Sequence, residues 1–106
     1  MLFEFCYTLR MRPLTTDFAE EDRRPYFLWD EDVSVGELRA VLSGPEGHER
    51  DRLLGKVLRE ARDLDVWAFT SPSRIAEALP RLGRRLGRRA AFWRYLIAGW
   101  RADGLL

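Results

Sequence analysis

The sequence predicts an all-α fold, a compact bundle of four to five short helices behind an irregular N-terminal extension. Three observations carry that expectation. Apolar residues recur with helical spacing in RLLGKVLREA and AAFWRYLIAGW. Helix-start signatures stand at SVGELRAVL and SPSRIAEAL. No convincing alternating strand pattern follows residue 25. A chain of 106 residues with 46% hydrophobic content supports one domain with a modest core.

The elements follow in chain order. MLFEFCYTLR reads as a short strand or a frayed helix, and Met11 is an equally natural start. TTDFAEEDRR reads as a polar, acidic linker with little to bury, so residues 1–24 form an extension and residues 25–106 a single helical domain. Ordered structure is expected to begin at PYFLWDED, where four large apolar residues, Tyr26 to Trp29, follow a proline. Ser34 and Glu37 have the spacing of a capping box, in which each side chain satisfies the other's backbone N–H. Leu38, Val41 and Leu42 then share a face, and Gly44-Pro45 ends the helix because proline forces its predecessor out of the α region.

HERDRLLGKVLREARD is the clearest helix, with Leu53, Leu54, Val57, Leu58 and Ala61 forming one apolar stripe. TSPSRIAEAL starts the next, capped by Thr70 or Ser71 with Pro72 in its first turn. Pro80 interrupts that helix or restarts another. RRAAFWRYLIAGWRADGLL presents Phe92, Trp93, Leu96, Ile97 and Trp100 on a wide apolar face, and Gly104 suits a C-terminal cap. Four tryptophans are too many for a surface, so core packing is the expectation for Trp93 and Trp100.

Catalytic signatures are absent: the sequence has no phosphate-binding glycine loop, no HExxH, no GxSxG and no Cys–His pairing. His48, the one histidine, has no second His or Cys beside it and reads as a surface residue near a helix start. Asp30, Glu31 and Asp32 are adjacent rather than spaced to converge, and read as residues bordering the first helix. No enzyme, metal or cofactor is therefore expected. The single cysteine, Cys6, has no internal disulfide partner, the opening residues do not read as a secretory signal, and no apolar run reaches membrane-spanning length. These point to a cytoplasmic protein.

Charge is the informative property. Net charge is +1, yet residues 1–53 carry 7 basic and 12 acidic side chains, against 11 and 5 in residues 54–106. Six arginines lie between Arg81 and Arg94, with no acidic residue from Ala78 to Ala102. In a continuous helix, Arg81, Arg84, Arg85, Arg88 and Arg89 would share one face opposite Leu82 and Leu86. Gly83, Gly87 and like-charge pairs four residues apart weaken such a helix, and nothing local in the sequence offsets this. An anionic neighbour is expected to order it. That neighbour is an acidic surface on a partner protein, nucleic acid, or the chain's own acidic segment 17–32, which holds 7 acidic and 2 basic residues. Arg84, Arg85, Arg88 and Arg89, with Phe92 and Tyr95 as aromatic anchors, are the expected partner or anion site.

PYFLWDED, RLLGKVLREARDLDVW, SPSRIAEALPRL and RRAAFWRYL together resemble a family of small bacterial helical proteins of unknown function. Its members share an aromatic-Trp-Asp start, an apolar helix and a late Phe-Trp pair. Genes for such proteins often stand beside nucleotidyltransferase toxins of the AbiEii type. The resemblance implies a protein-binding module, antitoxin-like or accessory to a nucleotidyltransferase toxin. The alternative is a helix-turn-helix-like DNA-binding transcriptional regulator using residues 71–102.

Overall fold

The structure, a computed structural model, describes residues 11–106. The expectations for residues 1–10 lie outside the described residues. The chain divides into two compact units, Met1–Ala40 and Val41–Leu106. Helix dominates the described residues after Ser34, as the periodicities predict: the described residues contain five α-helices and one two-stranded sheet.

The first unit corrects the expectation of an irregular extension whose residues 15–24 are an acidic linker with little to bury. Two short strands, β1 (Leu14–Thr15) and β2 (Arg24–Pro25), pair in parallel. The sequence hides them because two-residue strands are too short to show alternation. Side chains hold the connecting loop instead. The Thr15 hydroxyl accepts from the Asp17 N–H and donates to Glu20, and Asp17 accepts from the Ala19 N–H. Arg24 is buried, and its guanidinium donates to the carbonyls of Arg12, Leu28 and Trp29. A charge removed from water needs such partners, so Arg24 ties the backbone at Arg12 to that at Leu28 and Trp29. Phe27 and Leu28 are buried beside it, whereas Trp29 is 65% exposed.

Helix α1 (Val35–Ser43) begins at the expected capping box. The Ser34 N–H donates to Glu37 at 2.9 Å, and the Glu37 N–H donates to the Ser34 hydroxyl at 3.1 Å. The carbonyls of Arg23 and Glu21 take the N–H groups of Val35 and Gly36. The open N-terminal donors of this helix are thereby satisfied by the loop before it.

The second unit holds α2 (His48–Glu60), the single turn α3 (Asp63–Val66), α4 (Pro72–Leu82) and α5 (Arg89–Ala102). A 3-10 turn, Gly83–Leu86, joins the last two. The predicted stripe of α2 is buried, as are Ile75, Leu79, Leu82, Leu86, Trp93 and Ile97. Ser71 caps α4, accepting from the Arg74 N–H, and Pro72 occupies the first turn. Pro80 neither stops the helix nor restarts it. It has no N–H to return to Ala76, but Leu79 and Leu82 on either side are buried, and their packing carries α4 through.

Trp93 is wholly buried, and its indole N–H donates to the Leu58 carbonyl at 2.9 Å. That carbonyl belongs to the last turn of α2, where no intrahelical donor is due. Replacing Trp93 with Phe keeps a ring in the core but strands the carbonyl. The expected loss is about 1–3 kcal/mol of unfolding free energy, measured by urea denaturation.

Candidate functional site

The 3-10 turn breaks the arginine run into separate tasks. Gly87 leaves the turn with φ +53, a backbone region that favours glycine, so residues 81–89 do not form one helical face. Arg81 reaches Asp51 and Glu77, each at 3.1 Å. Arg85 lies along α2: its Cβ is 3.1 Å from where a Cβ on Gly55 would stand, its carbonyl accepts from Arg59 at 2.9 Å, and its guanidinium meets His48 Nδ1 at 3.4 Å. Arg89 pairs with Asp63, and its guanidinium carbon sits 4.5 Å above the Phe92 ring. The Arg89 Nε atom is buried without a hydrogen-bond acceptor, beside that aromatic face.

Local carboxylates therefore offset the like-charge repulsion, which the sequence does not reveal. They come from α2, α3 and α4. Within the first unit, Asp32 and Glu37 meet Arg12, Glu20 meets Arg23, and Glu21 meets Arg39. Their helix-to-helix reach is not visible in a linear sequence, because Asp51 and Arg81 are 30 positions apart.

Of the six expected site residues, Arg85 and Arg89 are half-buried and engaged within the unit. Arg84 and Arg88 are exposed and have no hydrogen bond or ion pair among the described residues. Phe92 is half-buried with its ring 5.0 Å from that of Trp93, and Tyr95 is 77% exposed. Trp67 joins them: its ring is 5.9 Å from Trp93 and 5.8 Å from Trp100. The result is a band of aromatic rings along α5 with the free cations Arg84 and Arg88 before it. Beyond Tyr95 the band opens into a hollow of about 430 Å³ lined by Leu96, Gly99 and Trp100.

Two exposed apolar residues, one in this band and one on α3, escape sequence reasoning. Trp67 is 37% exposed and Leu64 is 83% exposed. Leu64 lies between Asp63 and Asp65 in a one-turn helix, and an apolar side chain flanked by carboxylates is the signal that marks it.

A polar hollow of about 340 Å³ lies elsewhere in the unit, lined by Glu46, Arg50, Ser73, Arg74 and Glu77 among others. Arg81 above all, and then the Glu46 carboxyl, lower the Glu77 pKa from 4.5 to about 2. The hydrogen bond to Glu77 raises that of Glu46. In the first unit the Arg12 side chain lowers Asp32, and the Ser34 N–H followed by Arg12 lowers Glu37. Among the described residues, no group of three or more His, Cys, Asp and Glu converges on a common point. No helix there is long and apolar enough to cross a membrane. Comparison with known protein families, curated proteins and solved structures finds no match.

Two predictions test this geometry. Gly55→Leu drives a side chain into Arg85 and should cost about 1–3 kcal/mol by overpacking, whereas Gly55→Ala should be near neutral because helix propensity gains about what the contact loses. Thermal melts of both variants decide it. The second concerns acid. A carboxyl whose folded pKa is depressed contributes stability above its unfolded value and loses it as pH falls through the folded one. Glu77, Asp32 and Glu37 should therefore make the protein less stable as pH drops from 4.5 toward about 2, with Glu46 acting in the opposite sense. Denaturant titrations across that window should show a shallower decline for Glu77→Gln.

Proposed function

We propose that this protein is a non-enzymatic protein-binding module acting in the cytoplasm, an antitoxin-like or accessory partner of a nucleotidyltransferase-type toxin. One observation carries the binding surface. Exposed aromatic and aliphatic groups, Tyr95, Trp67 and Leu64, accompany a packed ring cluster, and two unpaired arginines precede it. Aromatic residues and arginine supply most of the binding energy in protein interfaces, because a large side chain desolvated in a pocket gains more than rim contacts. A monomer gains nothing from leaving such groups in water.

In this reading, Arg84 and Arg88 meet acidic groups of the partner. Phe92 and Tyr95 supply the apolar anchor, and the hollow beyond Tyr95 takes one partner side chain. Arg85 and Arg89 act indirectly, by fixing the turn and the start of α5. The choice of a nucleotidyltransferase rests on the resemblance of PYFLWDED, SPSRIAEALPRL and RRAAFWRYL to the small helical family described above.

The test is titration calorimetry of the purified chain against the product of the adjacent gene, which this reading requires to be a nucleotidyltransferase. Association at micromolar concentration is expected. Arg84→Glu/Arg88→Glu should weaken it about tenfold or more, equivalent to about 1.4 kcal/mol, and Leu64→Asp should weaken it similarly. No heat of binding with that protein, or variants that bind as tightly as the parent, would sink the proposal.

A further inference from the structure

The face of α5 turned away from the core has a different composition from the aromatic band. Arg88, Ala91, Arg94, Tyr95, Ala98 and Arg101 are all exposed. Helical spacing puts Arg94 and Arg101 on one side, seven residues and about 10 Å apart along the axis, with Arg88 and Tyr95 on the other. Ala91 and Ala98 lie between them as a shallow floor. Arg88, Arg94 and Arg101 have no hydrogen bond or ion pair among the described residues. The sequence has no carboxylate from Ala78 to Ala102, so nothing within the helix neutralises them.

From this arrangement we infer that the outer face of α5 docks the sugar-phosphate backbone of a nucleic acid duplex. Charge decides against a second copy of the chain, because a twofold pairing of this face would set arginine against arginine. Beyond Tyr95, which the aromatic band shares, the face holds only arginine and alanine and has no apolar group large enough to form an interface core. A polyanion suits it. Arginine forks match phosphate oxygens, the alanine floor lets the helix approach closely, and a helix enters a major groove about 12 Å wide. Contacts of this kind position a protein without reading sequence, which distinguishes the inference from a helix-turn-helix regulator. Arg88 and Tyr95 are common to this face and to the surface proposed for the toxin partner, whereas Arg94, Arg101, Ala91 and Ala98 belong to this face alone.

The experiment is fluorescence anisotropy of a labelled DNA duplex of about 20 base pairs with the full chain, at about 50 and 200 mM KCl. Three phosphate contacts predict roughly 40-fold weaker binding at the higher salt. Arg94→Gln/Arg101→Gln should weaken binding at low salt and lower the salt slope by about two. Arg52→Gln/Arg62→Gln removes the same charge from α2 and the residue before α3, and should leave that slope unchanged. All four arginine side chains lie on the surface of the second unit, and matching far-UV circular dichroism spectra verify the fold. No binding at the lower salt, binding that ignores salt, or equal losses in the two double variants would overturn the inference. A polyglutamate peptide that binds as tightly as the duplex would overturn it in favour of an acidic protein.

Discussion

The second unit depends on one contact, the Trp93 indole N–H on the Leu58 carbonyl. It ties the start of α5 to the end of α2 through the largest side chain in the core. Because the ring is wholly buried and its donor has a single acceptor, α5 has little freedom to rotate about its own axis. That rotation decides everything displayed outside. With Trp93 and Ile97 facing inward, Phe92, Leu96 and Trp100 lie at the margin. The arginines and alanines point to water. One hydrogen bond thus separates an apolar margin from a basic outer face.

The arginine run shows how a single residue type serves several physical ends. Arg81 and Arg89 spend their charge on carboxylates of neighbouring helices, and Arg85 contributes mainly its stem and its carbonyl. The α2 glycine opposite it is what lets the turn lie close, since any larger residue meets Arg85 first. Exposed ion pairs of this kind add modest stability individually, so their combined role is to hold the turn in one conformation. Arg84 and Arg88 have no such carboxylate among the described residues.

Much of this fold is legible in the amino-acid order alone. The capping box at Ser34 and Glu37 is a pattern of four residues, and local geometry suffices to form it. The stripe on α2 follows from periodicity and buries as expected, whereas of the face on α5 only Trp93 and Ile97 bury, and Phe92, Leu96 and Trp100 stay half-buried. The turn at Gly83–Leu86 is not legible, because Arg85 packs against Gly55 on another helix. Arg24 is hidden for the opposite reason: a buried arginine bonded to main-chain carbonyls has no partner residue type that a sequence could display. Trp29 points outward although its neighbours Phe27 and Leu28 do not, and helical or strand periodicity has no purchase on so irregular a stretch. For the site, the arginine positions are visible in the sequence, but which of them stay free depends on carboxylates brought in by tertiary packing.

The tetrapeptide LGRR occurs twice in succession, and its two copies fold differently. Leu82 closes an α-helix and Gly83 opens the tight turn, whereas Leu86 closes the turn and Gly87 reverses the chain with positive φ. Both leucines are fully buried. A tandem repeat is where replication slips, and here contraction to one copy would leave a sequence of nearly unchanged composition. It would nonetheless remove one of two core leucines and shorten the bridge between two helices whose ends are already fastened. Copy number at this spot is therefore a structural dimension of the molecule, held at two by the distance to be spanned.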